Sequence, residues 1–152
     1  MRLMSFSMTK AQVREGSKLV TRRLGWWFLK PGDLLMAIEK GQGLKKGEKV
    51  VRIRPIRVVS SKGQVLKKIT KRDVRLEGFP HLTPRLFVMM FCAGHACTPE
   101  KVVNRIRFEY ITLCTCCGGE GRGYFGENPN YSGHKTTCPK CFGSGVDPEI
   151  EL

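Results

Sequence analysis

The stretch Gly16-Ser17-Lys18-Leu19-Val20-Thr21-Arg22-Arg23 sets three cations and two hydroxyls within eight residues behind a glycine, and the segments on either side of it define the fold. Upstream, Leu3 to Ser7 alternates apolar and polar residues as a strand does. Thr9 with Gln12 forms a capping-box pattern that opens a short helix, which Gly16 ends. Downstream, Pro31-Gly32-Asp33 signals a turn, after which Leu34-Leu35-Met36-Ala37-Ile38 reads as a buried strand bounded by Lys40-Gly41-Gln42-Gly43. Within a further strand, Val50 to Val59, Arg52 and Arg54 alternate with Val51 and Ile53, which gives one basic and one apolar face. Pro55 marks an edge or a bulge there, and Ser61-Lys62-Gly63 is expected to turn the chain. Thr70 caps a short helix running to Leu76. Thr83, with Pro84 at the first helical position, opens another whose Leu86, Phe87, Met89 and Met90 are expected to point inward. In the last strand Arg105, Arg107 and Glu109 face one way while Ile106, Phe108 and Tyr110 face the other. Strands dominate and helices do not alternate with them, so the expected class is α+β: a small barrel or strongly curved sheet with two or three short helices.

The chain has 152 residues and carries 27 Lys+Arg against 13 Asp+Glu, a formal net charge of +14. That length suits one domain with a small appendage. The charge is uneven: residues 1–113 hold 24 basic and 8 acidic residues, net +16, whereas residues 114–152 hold 3 and 5, net −2. Eight of the 17 glycines also fall in those last 39 residues. The expected domains are therefore 1–113 and 114–152. A surface of +16 attracts polyanions, of which nucleic acid is the commonest away from membranes; the plainer explanation is a solvated basic face. The longest apolar run, around Phe87, Val88, Met89 and Met90, is far shorter than the roughly 20 residues a bilayer span needs. The N-terminal residues show no secretory pattern, so a cytoplasmic location is expected.

The appendage holds Cys114-Thr115-Cys116-Cys117-Gly118-Gly119-Glu120-Gly121 and Cys138-Pro139-Lys140-Cys141-Phe142-Gly143-Ser144-Gly145, both of the form C-x-x-C-x-G-x-G. A two-residue spacer lets one tight turn direct both sulfurs at a metal. The glycines permit the positive φ that aims backbone N–H groups at the thiolates. Cys114, Cys117, Cys138 and Cys141 are the expected ligands of one structural Zn²⁺; an iron–sulfur cluster would use the same residues, and an odd count of seven cysteines argues against a disulfide framework. Cys116 leaves a C-x-C register open, but only Cys117 repeats the glycine spacing that follows Cys141, so Cys116 is expected to be free. The two motifs resemble half of the cysteine-rich domain of DnaJ-type chaperones, a hairpin-like zinc module. No His-Pro-Asp signature is present, so a cochaperone role is not implied. In the intervening loop Arg122, Tyr124, Phe125, Tyr131, His134 and Lys135 are candidates for contact with nucleic acid or a protein partner.

Gly16, Lys18, Thr21 and Arg23 match the G-x-K-x-x-T-x-R pattern of ASCH domains, and the order of elements from about Leu3 to Ile111 is similar to that family. The resemblance implies a PUA-like β-barrel with a basic cleft that receives a nucleotide or an extruded base. Small ASCH proteins beside a zinc module also look like those of bacteria and their phages. RNA or another nucleic acid is thus the implied partner, with Lys18, Arg22, Arg23, Trp26, Arg52 and Arg54 as candidate contacts. One bacterial branch of the family hydrolyses N4-acetylcytidine, and its Lys, Thr and Glu would fall on Lys18, Thr21 and, more loosely, Glu77. In that alternative Lys18 would deprotonate Thr21 for attack on the amide, Glu77 would protonate the leaving amine and Arg23 would stabilise the oxyanion. The same residues serve simple binding if Lys18 and Arg23 contact phosphate and Glu77 is their counter-ion. A third alternative is a protein-interaction adaptor acting through the zinc module.

Two other groups invite a function. Of the adjacent Trp26 and Trp27, one is expected in the core and one exposed to stack on a base. Cys92, His95 and Cys97 have metal-ligand chemistry but no fourth ligand, which favours buried thiols.

Overall fold

The structure, a computed structural model, describes residues 1–123 and 134–148 and divides into two compact units, Arg2–Tyr110 and Ile111–Leu152. The first unit runs β1 (Arg2–Ser5), α1 (Lys10–Glu15), β2 (Val20–Arg23), β3 (Leu34–Ile38), β4 (Arg52–Val65), a 3₁₀ turn (Leu66–Lys68), α2 (Lys71–Leu76), α3 (Pro84–His95) and β5 (Val102–Tyr110). Its five strands form one mixed sheet in the order β1-β3-β4-β5-β2, with β1 parallel to β3 and the other pairs antiparallel. The class is α+β, a half-barrel with three helices. One side-chain bond links the two edge strands: the Arg23 guanidinium on β2 donates to the Ser5 carbonyl at the end of β1.

The length of β4 makes the curl. Its first half pairs with β3 and its second half with β5, and a bulge between Val58 and Ser60 separates most of the two ladders. Pro55 sits where β4 is paired with β3 alone, which tolerates a residue without an N–H. Ser61-Lys62-Gly63 does not turn the chain: it continues β4, opposite Ile106, Arg105 and Asn104. The extra residue at the bulge re-registers the strand and allows small polar residues to remain in the ladder.

Two apolar clusters hold the unit together. Met4, Phe6, Val13, Leu35, Ile56, Val58, Ile106 and Phe108 fill the concave side beneath α1, and Leu66, Ile69, Val74, Phe87, Val88, Phe91 and Val103 join α2 and α3 to the other side. Val103 and Ile106, three apart on β5, point to opposite faces and so serve different clusters. Helix α3 is capped by Thr83, whose hydroxyl accepts from the Leu86 N–H, but its inward face differs from expectation. Leu86 and Met89 are exposed, while Phe87, Val88 and Phe91 are buried, because a helix of three turns against one cluster buries a stripe and not both flanks of it. Thr70 caps α2 as its sequence implies. Thr9 does not cap α1 with its side chain; it is buried, and Gln12 donates from Nε2 to the Gly78 carbonyl instead of closing a capping box.

In the second unit β6 (Arg122–Gly123) pairs with β7 (Thr136–Thr137) as a short hairpin, and Leu113 and Val146 form an isolated bridge. Its buried centre consists of Cys114, Cys138 and Cys141, with Cys117 partly buried beside them. A centre made of thiols supplies almost no hydrophobic burial, so this fold needs another source of stability. No helix among the described residues is long and apolar enough to cross a membrane.

Candidate functional site

Strand β2 was not legible as a strand, yet it carries the site. It pairs antiparallel with β5, Thr21 opposite Ile106 and Arg22 opposite Arg105, and this fixes the motif Gly16–Arg23 at the sheet edge. Gly16 ends α1 in the left-handed conformation at φ 84°, which only glycine adopts freely. The chain then bends so that Lys18 enters the protein and the Tyr110 hydroxyl donates to its carbonyl at 2.6 Å.

Lys18, Arg22, Asp73 and Glu77 form a buried ion cluster at the seam between the two apolar clusters. Lys18 is 3% exposed and Glu77 3%. Lys18 Nζ donates to the Glu77 carbonyl at 2.6 Å and to Glu77 Oε2 at 2.9 Å. Arg22 Nη1 donates to Glu77 Oε1 at 3.1 Å, and its Nη2 to Gln64 Oε1 and Asp73 Oδ2, both at 2.6 Å. Asp73 in turn accepts two bonds from Arg105, at 2.6 and 2.9 Å. Burial pulls the Lys18 amine below the usual lysine range, against the opposing pull of Glu77. The Arg105 guanidinium is the main cause holding the Asp73 carboxyl down at about 2, with Arg22 adding to it and burial opposing.

These groups form one side of a cleft of about 200 Å³. Lys18, Thr21, Arg22, Arg23 and Glu77 supply its polar wall, and Phe6, Phe79, Phe87, Phe91 and His95 supply an aromatic one. His95 stacks on Phe91 with ring centroids 4.1 Å apart, and its Nδ1 lies 2.9 Å from the Phe91 carbonyl. The Arg23 guanidinium stands over the Phe6 ring and donates from Nε to Thr21 Oγ1 at 3.3 Å. A planar ring between aromatic faces and cationic donors is the ligand such a wall arrangement accommodates.

The structure thus brings Lys18, Thr21, Arg22, Arg23 and Glu77 together, but their bonds redistribute the expected roles. Arg22 bonds inside the cluster to Glu77, Gln64 and Asp73, with its side chain 0% exposed. Glu77 is a buried counter-ion of Lys18 and Arg22. No hydrogen bond joins Lys18 Nζ to Thr21 Oγ1. Arg52 is exposed, and Arg54 lies over the Tyr110 ring, 4.1 Å from its centroid; neither lines the cleft. Trp26 is half-buried against the core and Trp27 is exposed, the division expected of the pair. Cys92 and Cys97 pack beside the second apolar cluster with their sulfurs 3.9 Å apart, and with His95 they form no metal-ligand group among the described residues. The aromatic wall from α3 was missed because Phe87 and Phe91 read equally well as plain core, and Asp73 because its partners Arg22 and Arg105 are distant in sequence.

In the second unit the sulfurs of Cys114, Cys117, Cys138 and Cys141 all lie within 4.8 Å of one another. Cys114 and Cys138 are 3.8 Å apart and Cys117 and Cys141 3.6 Å. A tetrahedron with metal–sulfur bonds of about 2.3 Å has edges of about 3.8 Å. Gly121 donates its N–H to Cys117 Sγ at 3.2 Å and Gly145 to Cys141 Sγ at 3.3 Å, the same bond in each motif copy. Gly119, Gly121, Gly143 and Gly145 all have positive φ, between 72° and 94°. Burial pushes the Cys141 thiol up, but the N–H groups of Gly145 and Gly143 with the neighbouring thiols outweigh it and bring it down to about 6. Cys116 is exposed and outside the group. This donor set fits a metal ion. Of the loop candidates, Arg122, His134 and Lys135 are exposed, and Tyr124, Phe125 and Tyr131 lie outside the described residues.

No protein-family model matches the sequence, and no curated protein matches it. Among solved structures, the chain is similar to hypothetical protein PH0355, with a TM-score of 0.52 and 16% identity over 73% of this chain and 100% of that one. It is similar also to protein EF3133 from Enterococcus faecalis V583, of the DUF984 family, with a TM-score of 0.50 and 16% identity over 70% of this chain and 72% of that one. An ASCH domain from Lactobacillus crispatus JV V101 aligns at a TM-score of 0.46, with 12% identity over 72% of this chain and 79% of that one. At such identities the first two likenesses speak for fold alone: this chain shares the architecture of PH0355 and EF3133 over about seven-tenths of its length.

Proposed function

We propose that the Arg2–Tyr110 unit is a nucleic-acid reader whose cleft receives one unstacked nucleotide of RNA. The observation that carries this is the pairing, in one cleft, of the exposed His95 ring, stacked on Phe91 with Phe6 and Phe87 buried behind it, with Arg23, whose guanidinium is tied down by only two bonds. A base stacks on the first and a phosphate or base edge takes the second. The +16 charge of residues 1–113 supplies the long-range attraction, and the likeness of Gly16, Lys18, Thr21 and Arg23 to the ASCH motif supports the same assignment. The buried cluster of Lys18, Arg22, Asp73 and Glu77 serves as the rigid floor. The test is binding of single-stranded RNA and DNA across a salt series. Affinity that falls linearly on logarithmic axes, and drops about tenfold for Arg23→Gln, supports the assignment; salt-independent or absent binding at 50 mM salt rejects it.

A second reading is hydrolysis of an N4-acylated cytidine. What favours it is that Thr21 and a lysine of lowered pKa line the same cleft. Lys18 would have to exchange a Glu77 bond for the Thr21 hydroxyl when substrate enters, since apo geometry leaves them unbonded. Release of acetate from N4-acetylcytidine that Thr21→Ala abolishes would establish it, and no release would reject that substrate.

For the second unit we propose one Zn²⁺ held by Cys114, Cys117, Cys138 and Cys141 in a structural role. Four thiolates close the coordination sphere, so the ion stabilises the fold and has no open position for chemistry. One equivalent of zinc in the purified protein, lost in Cys138→Ser, is the expected result.

A further inference from the structure

Beside the cleft lies a second cavity of about 530 Å³, lined among others by Ser5, Ser7, Arg23, Trp26, Lys40 and Gln42. Ser5, Ser7 and Arg23 line the first cleft as well, so the two spaces adjoin with Arg23 at the junction. The Arg23 Nε and Nη2 atoms are engaged by Thr21 Oγ1 and the Ser5 carbonyl. The remaining N–H groups of its five have no described acceptor and are free for a ligand at that junction.

Trp26 is held in an unusual way. Its φ is 67°, in the left-handed region that a bulky residue enters only under constraint. The constraint is Asn104 on β5, which is 0% exposed. Its Nδ2 donates to the Trp26 carbonyl at 3.0 Å and to the Gly25 carbonyl at 3.4 Å, while its Oδ1 accepts from the Ser61 hydroxyl at 2.9 Å. A fully buried amide is thus committed to one strained turn. That turn sets the Trp26 indole against the core with Phe28 beside it, 5.5 Å between ring centroids, and leaves the indole in the wall of the second cavity. Strain of this kind persists where the surrounding structure over-determines a side chain's position.

We propose that the second cavity is a stacking subsite for a neighbouring base, so that the ligand is a single-stranded oligonucleotide of at least two nucleotides and not a free nucleoside. One base enters the cleft, the next stacks on Trp26, and Arg23 binds the phosphate that joins them. Gln42 and Lys40, the latter in a half-exposed pair with Glu48 at 3.7 Å, line the same cavity and offer an amide and a cation to the second nucleotide. Two bases parted by an arginine are unstacked, which selects single strands or splayed loops over duplex. The proposal rests on the cleft being a nucleotide site.

The experiment compares homotetranucleotides of each of the four RNA bases with the matching 5′-mononucleotides by calorimetry, on the full chain and on Trp26→Ala, Trp26→Phe and Asn104→Ala. The preferred tetranucleotide is expected to bind the unaltered protein about ten-fold or more tighter than its mononucleotide. Trp26→Ala removes that advantage and leaves mononucleotide affinity within about two-fold, whereas Trp26→Phe, which keeps an aromatic face and the core contact, retains most of it. Asn104→Ala, which frees the turn, gives an intermediate loss. Equal affinity of tetranucleotide and mononucleotide for the unaltered protein overturns the subsite and leaves the cleft assignment standing. Full retention of the advantage in Trp26→Ala does the same. Where Trp26→Ala does not fold, Trp26→Phe and Trp26→Leu decide: a preference mostly retained in Trp26→Phe and lost in Trp26→Leu supports the arrangement, and an advantage unchanged by Trp26→Leu overturns it. Failure of every nucleotide to bind overturns the cleft assignment itself, and this subsite with it.

Discussion

Glu77→Gln removes the carboxylate that Lys18 and Arg22 share, and its cost can be worked from the bonds. Glu77 is 3% exposed, and its carboxylate lies 2.9 Å from Lys18 and 3.1 Å from Arg22. Removing one partner of a buried ion pair typically costs about 3–5 kcal/mol, because the other charge stays desolvated. Arg22 retains Asp73 and Gln64, and the new amide still offers one acceptor, so the lower end applies, about 3 kcal/mol near pH 6. The penalty depends on pH with a definite sign. Burial already lowers the Lys18 pKa and Glu77 is the main influence raising it, so the substitution lowers it further. A lysine with a folded pKa below its unfolded value binds fewer protons folded than unfolded in that window, so stability rises with pH there. Shedding the Lys18 proton becomes easier by about 1.4 kcal/mol per pH unit, so the gap between variant and unaltered protein should narrow as pH rises. Urea denaturation followed by tryptophan fluorescence reads this directly, since Trp26 and Trp27 are the only tryptophans and both belong to the Arg2–Tyr110 unit. With an m-value of about 1.5 kcal/mol/M the midpoint at pH 6 should fall by about 2 M. A loss under about 0.5 kcal/mol at pH 6, or a gap that widens as pH rises, would refute the ion cluster as the floor of the cleft.

Other perturbations follow the same physics. The Asp73 carboxyl, held at about 2 against an ordinary 3.8, contributes stability that is complete above pH 4 and lost as pH falls towards 2. Asp73→Asn should cost about 2 kcal/mol at pH 6 and well under about 1 kcal/mol at pH 2, where the unaltered protein has itself lost most of that contribution, checked by denaturation of both proteins at both pH values. In the second unit, treatment with a strong chelator should raise the number of rapidly modified thiols by four, Cys116 being exposed and reactive beforehand, as counted with an aromatic disulfide reagent. Gly121→Ala should cripple metal retention, since a Cβ there would stand 2.2 Å from the Gly143 carbonyl oxygen in a residue at φ 72°; unaltered metal content would contradict the paired-knuckle geometry.

What was legible in the chain was what local chemistry decides. The Pro31-Gly32-Asp33 turn is tied by Asp33, which accepts from the Lys30 N–H at 2.8 Å, and the caps at Thr70 and Thr83 are made by the residues that signal them. The cysteine knuckles were readable for the same reason: ligand spacing and glycine φ are properties of eight consecutive residues. Where non-local pairing decides, the signals misled. Ser61-Lys62-Gly63 has turn chemistry but is held in β4 by nine residues of β5, and Gly63 is a poor strand residue only until a partner ladder is supplied. Val20–Arg23 has no strand-like alternation because Val20, Thr21 and Arg22 are all buried in succession, the last as an ion whose acidic partners lie more than 50 residues away. A buried charge looks like surface in a sequence until its counter-ion is known. Hence the motif could be located in the sequence, but the buried bonds of Arg22 to Glu77, Gln64 and Asp73 could not.

The most direct measurement is photocrosslinking of a single-stranded RNA carrying 4-thiouridine, with the attached peptides mapped by mass spectrometry. Base insertion into the cleft requires crosslinks on the segments Ser5–Thr9 and Phe79–His95, which form its walls, and their disappearance in Arg23→Gln at matched folding. Crosslinks confined to the exposed lysines Lys45, Lys46 and Lys49 or to the cysteine-rich unit would contradict it, and would reduce the basic charge of the first unit to a nonspecific attraction.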